Sequence, residues 1–147
     1  MSRGLEEIII DFNQFRDSFR SFRRTNEINR ETLLEYEYRL VELRADLRPH
    51  RKDIAAEWQK RDDKAATGIK FRIAIAIHEG EYKDKDGNLI HDICTINQAE
   101  KFASGSKAYK EFLEQRSFWK ESLVNVTDLR NDIDGYINLI KDILKTI

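Results

Sequence analysis

Residues 119–147 read WKESLVNVTDLRNDIDGYINLIKDILKTI. Trp119, Leu123, Val126, Arg130, Ile133, Ile137, Ile140, Leu144 and Ile147 recur at alternating spacings of four and three. That is the period of a coiled-coil seam, sustained for about four heptads. Leu129, Tyr136 and Ile143 make a second row beside it, one heptad apart. A helix with two adjacent apolar rows faces two neighbours, which are either helices of its own chain or other subunits of a bundle or ring. Gly135 inside this helix, less favourable than alanine by about 1 kcal/mol, points to close packing there.

The same period extends toward the N-terminus. Leu5, Ile8, Phe12, Phe15, Phe19 and Phe22 lay an apolar stripe along a first helix, with Arg16, Arg20 and Arg23 in a row on another face. Asn29 is placed to cap a second helix carrying Leu33, Tyr36, Leu40, Leu43 and Leu47, which Pro49 should end or kink. From His50 on, Ile54, Trp58, Ala65, Ile69, Ile73 and Ala76 suit a helix, although Ile69, Phe71, Ile73, Ile75 and Ile77 also alternate as a strand would. Helix is favoured. The turn-rich connector around Lys85-Asp86-Gly87-Asn88 would otherwise close a small β-hairpin near residues 69–94. Thr95-Ile96-Asn97-Gln98 has the spacing of a capping box and should open a short helix that stops at Ser104-Gly105-Ser106.

The expected fold is therefore mainly α, a long helical hairpin with a C-terminal coiled-coil-like assembly helix. It is read as one helical domain over residues 1–147. Its parts are an N-terminal amphipathic helix (1–25), a basic helical arm (29–78), a connector (79–94) and C-terminal assembly helices (95–147). One proline and six glycines among 147 residues leave few obligatory turns, and 36% charged residues suit long solvated helices. No long apolar run or signal-peptide core is visible, and the single cysteine, Cys94, suits a reducing compartment, so a cytoplasmic location is expected. Net charge is -1, yet residues 16–72 carry 15 basic against 11 acidic side chains, and residues 73–147 carry 10 against 13. The basic half is the candidate for meeting a polyanion.

Motifs for chemistry are missing. There is no GxxxxGK phosphate loop, His50, His78 and His91 are scattered, and His91 with Cys94 is half a metal site at best. Asp84, Asp86 and Asn88 start like a calcium loop, but Leu89 stands where glycine is needed. No metal, cofactor or catalytic residue is expected, and the chain reads as a non-enzyme.

One stretch says more than its composition. The segment from Lys64 to Ile73, KAATGIKFRI, precedes a polar connector that ends in QAEKFASGSK, Gln98 to Lys107. Trp119 follows 12 residues later and opens the apolar C-terminal helix. In order and separation these elements resemble the UvsY family of phage recombination mediators, over roughly residues 60–140. The resemblance implies a ring-like homo-oligomer that binds single-stranded DNA. It also implies a role in loading a RecA-like recombinase onto strands covered by single-strand-binding protein, without ATP hydrolysis, in the host cytoplasm. Carried over by position, Lys70 and Arg72 match the family's DNA-contacting element, and the C-terminal helix its assembly region, here Trp119, Leu123, Val126, Ile133, Ile137, Ile140 and Leu144.

The residues themselves offer a possible extension of that track. Arg48, His50, Arg51 and Lys52, with Lys60, Arg61 and Lys64, form a second basic group, balanced on a solvated face by Asp53, Glu57, Asp62 and Asp63. Phe71, between Lys70 and Arg72, is assigned to the core, because neither helix nor strand puts it on one face with both cations. The first helix is read as an interaction or core helix; Asp11, Asp17 and Glu27 among its arginines argue against a lipid surface. The alternative function is a phage structural or assembly protein acting through protein contacts alone.

Overall fold

A computed structural model of the chain describes residues 3–25, 29–80, 83, 86–87 and 95–147. Within them the protein is mainly α, with no strand and five helices: α1 (Leu5–Arg24), α2 (Arg30–Gln59), α3 (Asp63–His78), α4 (Ile96–Gly105) and α5 (Lys107–Thr146). The chain divides into two compact units, Met1–Ile54 with Leu123–Ile147, and Ala55–Ser122.

The first unit holds α1, most of α2 and the C-terminal part of α5. Its core is the set of stripes legible in the sequence: Ile8, Phe12, Phe15 and Phe19 from α1, Leu33, Leu40, Leu43 and Leu47 from α2, and Val126, Ile133, Ile137 and Ile140 from α5, all buried. Aromatic rings knit the three segments. Tyr36 meets Phe15, Phe19 and Phe22 edge-on at 5.5, 5.9 and 5.6 Å, and Tyr136 meets Phe12, Phe15 and Phe19 at 5.9, 5.4 and 5.6 Å. Edge-to-face pairs of this kind each add about 0.5–1.5 kcal/mol beyond the area they bury. Both rows of α5 therefore find partners inside the chain.

Of the two outcomes expected at Pro49, an end or a kink, the end does not occur: α2 continues to Gln59. The buried Leu47 and Ile54 on either side hold the helix through the lost hydrogen bond, and the proline itself is exposed. Gly135 does not mark close packing: it is exposed, and a Cβ built there meets nothing within 4 Å. Gly135→Ala should therefore raise stability by about 1 kcal/mol, measured by urea unfolding, because it narrows the unfolded ensemble and introduces no clash.

The second unit holds the end of α2, α3, α4 and the start of α5. Ala74 and Ile77 of α3 pack with Ala99 and Ala103 of α4, with Ile73 half-buried beside them. Capping defines the elements. Asn29 Oδ1 accepts from the backbone N–H of Glu31 at 2.9 Å at the head of α2. Asp62 Oδ1 accepts from Ala65 N at 2.9 Å, and Thr95 Oγ1 from Gln98 N at 3.2 Å. The arm expected over 29–78 is thus two helices, because residues 60–62 turn and Asp62 starts a new one. Gly80, with φ of 73°, takes the left-handed conformation after α3, and its N–H reaches Ile77 O at 3.0 Å.

The alternation from Ile69 to Ile77 is helical. Within the possible hairpin at 69–94, residues 69–78 belong to α3; residues 81–82, 84–85 and 88–94, with Asp84, Asn88, His91 and Cys94, lie outside the described residues. Phe71 is not core: it is 52% exposed. The buried line of α3 runs through Ala66, Ala74 and Ile77, and the helical period turns Phe71 away from it.

Candidate nucleic-acid interface

Over residues 42–57, helix α2 sorts its charge by face. Arg44, Arg48, Arg51 and Lys52 follow i, i+4, i+7 and i+8 spacing, which at 100° per residue puts them along one edge about 12 Å long. Glu42, Asp46, Asp53 and Glu57 fall on the opposite edge by the same rule. Two carboxylates of the acidic edge, Glu42 and Asp46, share a cation from the N-terminal segment. Arg3 bridges Asp11 at 3.0 Å, Asp46 at 3.1 Å and Glu42 at 3.9 Å, while a His50 ring nitrogen lies 2.8 Å from Arg3 O.

The basic edge is different. Arg48 and Lys52 are exposed and Arg51 half-buried, and none of the three makes a hydrogen bond or ion pair with a described residue. The Nε of Arg51 is itself buried without a partner. Only Arg44 is engaged, with Asp134 of α5 at 3.1 Å.

The other basic residues singled out in the sequence do not converge. Lys70 and Arg72, two positions apart on α3, point about 200° from each other. Lys70 is half-buried on the side of Ala66 and Ala74; Arg72 is exposed and turns its Nε–H toward Gly68 O at 3.4 Å. Lys64 is exposed. Lys60 pairs with Glu57 at 3.2 Å, and Arg61 reaches Glu57 Oε2 at 2.8 Å.

Those last contacts belong to a latch in the second unit that the sequence did not reveal. Arg61 also donates to Glu57 O at 3.0 Å and lies over the Trp119 ring at 5.7 Å from its centroid. Arg116 of α5 donates its Nε–H to Arg61 O at 2.9 Å, pairs with Asp63 and stacks over Trp58 at 5.1 Å. Two arginines and two tryptophans so fix the turn between α2 and α3 against α5. Arg116→Ala should cost about 1–2 kcal/mol by thermal unfolding, since it removes a cation–π contact and leaves a backbone carbonyl short of its donor. The Glu57 carboxyl is held below its ordinary pKa, first by the hydrogen bond from Arg61 and then by that from Lys60. Its favourable contribution is present above the unfolded-state pKa and is lost as pH falls through the lowered folded value.

The residues assigned to oligomerisation are mostly spent inside the chain. Val126, Ile133, Ile137 and Ile140 are buried in the first unit, and Trp119, Leu123 and Leu144 are half-buried. Exposed apolar side chains lie elsewhere, including a row on α2 formed by Leu34, Tyr38 and Val41, at 46%, 65% and 38%.

Among the described residues no group of three histidine, cysteine or carboxylate side chains could hold a metal, and no helix is long and apolar enough to cross a membrane. No protein-family model, curated protein or solved structure matches this chain. The resemblance to the UvsY family rests on the residues quoted for it above.

Proposed function

We propose that this chain is a non-enzymatic, single-stranded-DNA-binding protein, and that the basic edge of α2 carries the contact. The observation that supports the reading is the partition of charge on α2: Glu42 and Asp46 on one edge share Arg3, and Arg48, Arg51 and Lys52 on the other edge have no acidic partner among the described residues. Such cations bind a phosphodiester backbone through counterion release, so affinity must fall steeply with salt.

The resemblance to the UvsY family adds the finer role, that of a mediator in the host cytoplasm that loads a RecA-like recombinase onto strands covered by single-strand-binding protein. A mediator has to hold the strand and then surrender it, which many weak phosphate contacts allow and deep base pockets do not. A homo-oligomeric ring multiplies a few cations per subunit into firm binding.

The test is fluorescence anisotropy of a labelled oligothymidine, titrated at low and at roughly physiological salt. Binding that weakens steeply with salt supports the reading. Absence of binding, with oligomers present by light scattering, favours a protein-only assembly role, to which the exposed Leu34, Tyr38 and Val41 row of α2 is suited.

A further inference from the structure

We propose that Arg44 and Arg130 form a seat for a backbone phosphate of single-stranded nucleic acid, and that the carboxylate of Asp134 fills this seat in the unbound chain. The inference rests on the nucleic-acid reading above and names a part of the interface contributed by α5. Asp134 Oδ1 accepts from Arg44 Nη1 at 3.1 Å, and its Oδ2 lies 3.8 Å from Arg130 Nε. One carboxylate thus spans guanidinium groups from two helices, one on each oxygen. A phosphate offers the same pair of oxygens with the same charge, and arginine forks suit both anions.

Three features fit an exchangeable occupant better than a structural ion pair. The side chains of Arg44, Asp134 and Arg130 are 41%, 34% and 46% exposed, so solvent and a strand can reach all of them, and a pair so exposed is weak in water. Two cations share one anion, which leaves the site net positive. Arg44 also opens the α2 row that continues through Arg48 to Arg51, whose buried Nε has no acceptor. A strand seated on Arg44 and Arg130 would therefore run directly onto the unpaired cations. The Asp134 carboxylate acts as an internal competitor that weakens binding and eases release.

The test uses the full chain with the labelled oligothymidine. Asp134→Asn keeps the side-chain shape and removes the charge; it should bind roughly three- to tenfold tighter at low salt. The plot of log affinity against log salt should steepen by roughly 0.7 for each phosphate newly neutralised. Adding Arg44→Gln and Arg130→Gln should bring affinity to or below that of the wild type. Asp132→Asn makes the same charge change at an exposed position of α5 that forms no ion pair with a described residue, and should gain much less. Unchanged or weaker binding by Asp134→Asn, with far-UV circular dichroism intact, would overturn the seat, as would an equal gain in Asp132→Asn. If the wild type binds and Asp134→Asn does not respond, only the seat fails. If neither binds, the nucleic-acid reading falls with it.

Discussion

Replacing Phe15 with alanine should lower the free energy of unfolding by about 3–5 kcal/mol, the largest stability effect expected from one substitution in this chain. Phe15 is fully buried, and its ring meets Phe12, Phe19, Tyr36 and Tyr136 at 6.3, 5.6, 5.5 and 5.4 Å. Those partners come from α1, α2 and α5, so the cavity would open where the three segments of the first unit meet. Helices cannot easily close such a gap, because each is held in register by its own buried row above and below. Against a typical total of about 5–15 kcal/mol the loss is a large fraction, and the melting temperature should fall by on the order of 10 °C. Phe15→Leu should lose clearly less. Urea unfolding that places Phe15→Ala within about 1 kcal/mol of the wild type would show that the aromatic cluster is not the centre of this unit.

The second large effect concerns binding. Arg48→Ala with Arg51→Ala and Lys52→Ala should weaken oligothymidine binding by on the order of a hundredfold at low salt and flatten its salt dependence by roughly 2, the counterion release of three phosphate contacts. The fold should survive, since two of the three side chains are exposed, none has a partner among the described residues, and alanine favours helix. The comparison that gives this result meaning is Lys70→Ala with Arg72→Ala, the pair implied by the family resemblance. These side chains diverge on α3, so at most one of them can lie along a given strand, and their loss should flatten the slope by only about 0.7. If the α3 pair abolishes binding and the α2 triple leaves it intact, the interface belongs to α3 and the present assignment is wrong.

The two assignments differ because the sequence shows which residues are basic but not which are already engaged, as Lys60 and Arg61 are, nor which diverge on their helix, as Lys70 and Arg72 do. Lys60, Arg61, Lys64 and Lys70 look equivalent to Arg48, Arg51 and Lys52 when read along the chain. Folding separates them. Lys60 and Arg61 are taken up by Glu57, and Arg61 also by Trp119, an aromatic ring far along the chain. Arg116 and Asp134 carried no signal at all, since their partners lie 55 and 90 residues away. A helix start at Asp62 was legible in principle, as an aspartate three positions before Ala65, but the continuous apolar period across residues 54–76 masked it.

By itself the sequence determined the helical class, the buried stripes of α1, α2 and α5, and the start of α4 at Thr95. Each of these depends on local periodicity or on a cap within four residues, and such patterns are complete in the chain before it folds. Only the tertiary structure decided whether the rows of α5 face other subunits or the chain's own α1 and α2, whether Phe71 and Gly135 are packed, and which cations remain unpaired. Those outcomes depend on which surfaces meet across tens of residues. The spacing of a row shows that its side chains share a face, and the packing of the helices selects which rows are covered and which stay open, as the buried row of α5 and the exposed Leu34, Tyr38 and Val41 row of α2 illustrate.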